Sequence, residues 1–159
     1  MRKMVLSIFV ENTFGVLSRV SGLFSRRGYN IDSLTVGVTE NPERSRMTVV
    51  VTGDEQILDQ IKKQVEKLED VREVKELMPS ESVYRELILI KVGATADQRQ
   101  AVISIAEIFR AKIVDVTPDS ITAELTGDQE KLDAFIKLLD DYKILEIART
   151  GITGLSRGK

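Results

Sequence analysis

Thr52-Gly53-Asp54 returns as Thr126-Gly127-Asp128, and Leu58-Asp59 with Ile61 returns as Leu132-Asp133 with Phe135, all at one constant offset. A chain that repeats itself in this way folds as two copies of one supersecondary unit, and tandem duplication is the economical origin. Periodicity supplies the content of each copy. Met4 to Val10 is β-rich and places Met4, Leu6, Ile8 and Val10 on one face of a strand. Val16, Leu17, Val20, Leu23 and Phe24 then form a helical stripe, which Gly28 stops. Strands are predicted at Ile31 to Val38 and Met47 to Val51. A second helix turns Ile57, Leu58, Ile61, Val65 and Leu68 inward. A fourth strand runs from Val71 to Leu77, with a bulge shifting its inward set to Val74 and Leu77. The order is βαββαβ, and the second half repeats it. Its strands are Leu87 to Val92, Ile113 to Val116, Ile121 to Leu125 and Ile144 to Arg149, and its helices are Ala96 to Arg110 and Asp128 to Leu139.

Two such units predict an α+β protein of tandem ferredoxin-like sandwiches, each an antiparallel sheet with both helices on one face. Pro79-Ser80-Glu81-Ser82 is the polar, proline-bearing break between them. The domains are therefore expected at residues 1–78 and 83–159, with 79–82 as linker. On the first sheet's other face fall Val5, Phe9, Thr48 and Val50, which predicts dimerisation or contact between the two sheets.

The residue types that are missing narrow the chemistry. There is no Cys, which excludes disulfides, thiolate metal sites and cysteine nucleophiles, and no His, the commonest general acid–base and metal ligand. No catalytic residue and no metal ligand is predicted, and the weight shifts from enzyme to binding or regulation. A formal net charge of −2 gives no reason to expect nucleic acid or an acidic membrane as partner. The βαββαβ order is shared with RNA-binding modules, but Met47-Thr48-Val49-Val50-Val51 offers no aromatic for base stacking. No apolar run approaches ~20 residues, and Met1 to Val10 is too short for a secretory signal, so the expected compartment is the cytoplasm. Gly154-Leu155-Ser156-Arg157-Gly158 matches a nucleophile elbow in letters only, since no base and no strand–turn–helix accompany it.

One stretch, Glu11 to Gly37, carries a binding signature. Asn12 reads as an N-cap and Gly15 falls in the first helical turn, where glycine costs roughly 1 kcal/mol against alanine. Access to the backbone amides would offset that cost, and those amides at a helix start favour an anionic group such as a carboxylate. Close packing of another backbone against Gly15 is the alternative. The second half has Gly93-Ala94-Thr95-Ala96-Asp97 at this place, whose Asp97 repels an anion. If one unit binds a small anion, it is the first. Asn30, after the glycine stop, either bonds the turn backbone or offers its amide to a ligand.

Glu11-Asn12 through Gly15, Leu17-Ser18-Arg19-Val20, Gly22-Leu23-Phe24, Arg27-Gly28-Tyr29-Asn30-Ile31 and Ser33-Leu34-Thr35-Val36 resemble the ACT domain of acetohydroxyacid synthase (acetolactate synthase) small subunits. The likeness continues through Ser45-Arg46-Met47-Thr48, Glu107-Ile108-Phe109-Arg110, Ile113 to Pro118 and Gly154 to Gly158. The resemblance implies a regulatory subunit without catalysis of its own. Its partner would be a catalytic large subunit holding thiamine diphosphate, FAD and Mg²⁺, which condenses pyruvate with pyruvate or 2-oxobutyrate. It implies activation of that subunit and feedback inhibition by valine in branched-chain amino-acid synthesis. It implies a homodimer through the ACT domains, with Asn12, Gly15, Val16 and Leu17 of one chain and Asn30 and Ile31 of the other around the amino acid. The second half is expected to help hold and activate the catalytic subunit. A stand-alone tandem-ACT amino-acid sensor acting on another partner is the alternative.

Overall fold

The computed structural model describes residues 1–158; Lys159, the last residue of the expected second domain, lies outside them. The chain runs β1 (Arg2–Glu11), α1 (Val16–Arg26), β2 (Ile31–Val38), β3 (Arg44–Gly53), α2 (Glu55–Glu66) and β4 (Val71–Glu76). A short 3₁₀ turn (Pro79–Glu81) leads into β5 (Ser82–Gly93), followed by α3 (Ala96–Phe109), β6 (Lys112–Thr117), β7 (Ser120–Gly127), α4 (Gln129–Leu139), β8 (Lys143–Arg149) and β9 (Thr153–Ser156). The sheets are ordered β2-β3-β1-β4 and β6-β7-β5-β8, with antiparallel neighbours in both. These are the two ferredoxin-like units that the repeat predicts.

The repeated tripeptide marks the start of the second helix in each unit. Asp54 Oδ1 accepts from the Ile57 N–H at 2.9 Å, and Asp128 Oδ1 accepts from the Lys131 N–H at 2.9 Å. Both aspartates sit in extended backbone and satisfy a first-turn amide that would otherwise lack a partner. The same short motif therefore stops a strand and starts a helix twice.

In the first unit Met4, Leu6, Ile8 and Val10 of β1 and Met47, Val49 and Val51 of β3 face Val20, Phe24, Leu58 and Ile61 of the helices. The predicted bulge at β4 is present: Phe9 pairs with Glu73 and Val10 with Val71, so Arg72 is the extra residue. Val71 and Val74 pack on this core, whereas Leu77 lies on the opposite face with Val5 and Val50. The second unit has its own core, with Ile88, Ile90 and Val92 of β5 against Ile121, Ala123, Val102, Leu132 and Phe135.

Two boundaries differ from the expected ones. The predicted linker 79–82 is one tight turn and the first residue of β5, and the first unit extends through Tyr84. Residues 152–158, assigned from sequence to the second domain, belong to the first unit. Its β9 lies beside the first residues of β5, where the Arg157 N–H donates to the Glu81 carbonyl at 2.7 Å. Ile152, 3% exposed, fills a socket of Val5, Val50, Leu77 and Tyr84. Burying one such side chain contributes about 1.5–3 kcal/mol, which accounts for the segment's choice of this face. The open sheet face is thus covered from within the chain at this end. Neither of the alternatives expected from sequence, dimerisation or contact between the two sheets, is needed to cover Val5 and Val50.

Candidate functional site

Helix α1 starts without a side-chain cap. Asn12, predicted to provide one, turns its Nδ2 to the Pro42 carbonyl at 2.9 Å instead. That contact ties the end of β1 to the β2–β3 loop, and the Asn12 N–H makes a second tie to the Glu43 carbonyl at 2.8 Å. The N-cap position is occupied by Gly15, three residues after the Asn12 predicted for it, with φ +82° and ψ 0°. This is left-handed backbone, which costs an L-residue roughly 1–2 kcal/mol. Glycine is needed for the bend, a reason the local sequence did not expose. A Cβ at Gly15 would lie 2.9 Å from an Arg19 Nη1, so that side chain closes over the glycine from one side.

Around this uncapped start lies a cavity of about 580 Å³. Asn12, Gly15, Val16 and Leu17, four of the six predicted site residues, line it together. Val10 and Val16 are buried and form its floor with Met47 of β3, and Ser45 and Val36 add walls from β3 and β2. Phe14 at the mouth is fully exposed and Leu17 is 46% exposed. Sequence reading missed Phe14, Ser18, Val36, Ser45 and Met47. Val36 and Met47 were readable as strand residues, but only their pairing in the ladder brings them to the helix start. The other two predicted residues do not line the cavity. Asn30 is exposed between α1 and β2, and Ile31 opens β2 opposite Val51, half-buried on the core.

The electrostatics suit an anion. Glu11 lines the cavity, but its carboxylate is held by Arg44 on one oxygen and Arg72 on the other. Arg19 pairs with Asp70 and donates to the Phe14 carbonyl at 3.3 Å. The Asp70 hydrogen bond pushes the Arg19 guanidinium above its ordinary pKa. Three cations thus accompany two carboxylates around a helix start whose dipole is itself positive. An apolar floor beside an anion-favouring rim fits a small molecule with a carboxylate and a hydrocarbon side chain.

The matching helix start in the second unit is closed. Gln98 Oε1 accepts from the Thr95 N–H at 3.1 Å, and Asp97 places a negative charge in the first turn of α3. Ser156 of the elbow-like motif lies in β9, where its Oγ accepts from Lys75 Nζ at 3.1 Å. Among the described residues no cluster of carboxylates could hold a metal ion. One carboxylate of the second unit is buried: Glu86, 3% exposed at its side chain, accepts from Arg149 Nε and Nη2 at 3.2 Å each.

Residues 6–73 match the family model described as AHAS small subunit-like ACT domain, and residues 85–158 match the one described as small subunit of acetolactate synthase. The chain is 52% identical over 155 residues to the small subunit of acetolactate synthase isozyme 3 of Escherichia coli, covering 97% of this chain and 95% of that one. It is 49% identical over 156 residues to the acetolactate synthase small subunit of Haemophilus influenzae, covering 98% and 96%. The crystal structure of the acetolactate synthase small subunit from Thermotoga maritima superposes with a TM-score of 0.91 at 42% identity, covering 100% of this chain and 99% of that one.

Proposed function

The chain belongs to the family of acetolactate synthase small subunits, and we propose that it is the sensor through which valine restrains a separate catalytic subunit. The observation that carries this reading is the uncapped α1 start, opened by Gly15 onto a cavity with a Val10, Val16 and Met47 floor. A branched amino acid has a carboxylate for the first-turn amides and a short hydrocarbon side chain for that floor.

A small subunit of this family implies a large catalytic partner. In the proposed scheme that partner holds thiamine diphosphate, FAD and Mg²⁺ and condenses pyruvate with pyruvate or 2-oxobutyrate, in the cytoplasm. This chain contributes no cofactor and raises the partner's activity. Two copies pair through their first units, and the second copy supplies Asn30 and Ile31 across the mouth of the cavity. The exposure of Phe14, Leu17 and Val36 around that mouth, and the edge position of β2, support a second copy there. Inhibition then requires that valine bind one subunit arrangement better than the other, since a ligand shifts only equilibria that it binds unequally.

Calorimetric titration of the purified chain with valine, leucine and isoleucine tests the site, and the expected result is saturable binding with valine among the ligands. Copurification tests the partner. A thiamine-diphosphate enzyme retained by this chain supports the regulatory-subunit reading, whereas retention of a different protein in its place favours a stand-alone sensor.

A further inference from the structure

The segment from Ile152 to Ser156 packs behind the strand that forms one wall of the cavity. β2 is an edge strand, hydrogen-bonded to β3 alone in its sheet, and its register slips between Ile31 and Ser33. Downstream of the slip, Val36 pairs with Met47 on the inner face and lines the cavity, while Thr35 pairs with Thr48 on the outer face. Thr35 Oγ1 donates to the Ile152 carbonyl at 3.3 Å. Beyond that bond the segment stands away from β2, leaving a second cavity of about 350 Å³ between Gly37–Thr39 and Thr153–Leu155.

The segment's other anchors, among the described residues, lie away from β2. The Ile152 side chain sits among Val5, Val50, Leu77 and Tyr84. Gly154 approaches so closely that a Cβ there would lie 3.0 Å from Leu77 Cδ1 and 3.1 Å from the Val83 carbonyl oxygen. Lys75 and the Glu81 carbonyl fix Ser156 and Arg157. The segment is therefore a bar fastened to β1, β3, β4 and the start of β5 and, among the described residues, tied to β2 by the Thr35 hydrogen bond.

We propose that this bar is a positioning element of the cavity: Ile152 and Thr35 hold β2, and with it the Val36 wall, in the arrangement that accepts the ligand. The ligand part of this inference rests on the amino-acid reading above; the mechanical part does not. Loosening the bar lets the edge strand sample positions in which Val36 no longer bounds the cavity, and affinity falls with the population of the competent state.

The experiment uses the full chain in three variants. Thr35→Val removes the donor and keeps the shape, Ile152→Ala empties the socket, and Val65→Ala destabilises the same unit from the far side of its core as a control. Calorimetry with valine and amide exchange of residues 34–38 are read together. The expected result is weaker valine binding for Thr35→Val, by up to about fivefold, the equivalent of one neutral hydrogen bond. Faster exchange of the β2 amides is expected in Thr35→Val and Ile152→Ala, beyond that of Val65→Ala. Exchange in β2 equal to the control in both variants overturns the proposal, whether or not valine binds. If the parent chain binds no valine, the amino-acid reading falls, and the exchange data still decide the positioning role. Valine binding in the parent that stays unchanged in both variants also overturns it.

Discussion

Replacing Gly15 by Ala, Asn and Asp separates the three demands made on that position. The backbone at φ +82° costs an L-residue about 1–2 kcal/mol, and Asn and Asp tolerate it better than Ala. In a chain of this size each kcal/mol lowers the melting temperature by roughly 2–4 °C, so Gly15→Ala is expected to melt about 2–8 °C below the parent. The added Cβ also displaces the Arg19 guanidinium, 2.9 Å away. Gly28→Ala is the comparison, since its φ of +71° carries the same backbone cost with nothing within 4 Å. Asn and Asp have one shape and differ in charge. A carboxylate about 5 Å from the ligand's own repels it by about 3 kcal/mol at an effective dielectric near 20, and by about 1 kcal/mol in water. Gly15→Asp is therefore expected to bind valine about 5- to 150-fold more weakly than Gly15→Asn, while activation of the catalytic subunit survives in both. Scanning calorimetry measures the first effect and titration calorimetry the second. A Gly15→Ala chain as stable as the parent refutes the backbone argument. Equal valine affinity in the Asn and Asp variants refutes the placement of the carboxylate.

The repeated aspartates predict a matched pair of effects: Asp54→Ala and Asp128→Ala each lose about 1 kcal/mol in denaturant unfolding, and a loss at only one would break the equivalence of the repeats. Arg149→Ala leaves the Glu86 carboxylate buried without its partner and is expected to cost about 3–5 kcal/mol; adding Glu86→Gln should recover part of that, and no recovery would show that the pair's charge is not the issue. Burial, and secondarily the Glu76 charge, push the Tyr84 phenol above its ordinary pKa. The neutral phenol is the form the fold favours, so its contribution is complete below about pH 10 and is lost as pH rises through the folded value. Tyr84→Phe should therefore show a flatter alkaline decline in stability than the parent, and superimposable alkaline limbs would contradict this.

Asp54 and Asp128 show why so much of the fold was legible. A cap, a helical stripe and an alternating strand are each decided within a few residues by hydrogen bonding and periodicity, and two matching sets imply two matching units. Asn12 shows the limit of local rules: its side chain had the right chemistry for a cap, but the Pro42 carbonyl from a distant loop competed for it and won. Gly15 was identified as special from its position, while its positive φ emerged only with the path of the chain between β1 and α1. The part of the cavity supplied by Val36, Ser45 and Met47 comes from strands whose approach to the helix start depends on sheet order.

The sequence by itself determined the duplicated βαββαβ plan, most of the inward-facing residues of the strands and helices, and the family. These rest on patterns repeated along the chain, where neighbours in sequence are neighbours in space. Tertiary structure alone decided that residues 152–158 return to the first unit, that Ile152 seals the sheet face beneath Val5 and Val50, and that Val36 and Met47 wall the cavity. Those contacts join residues far apart in the chain, and apolar burial selects among such partners by shape and area, which no local pattern records.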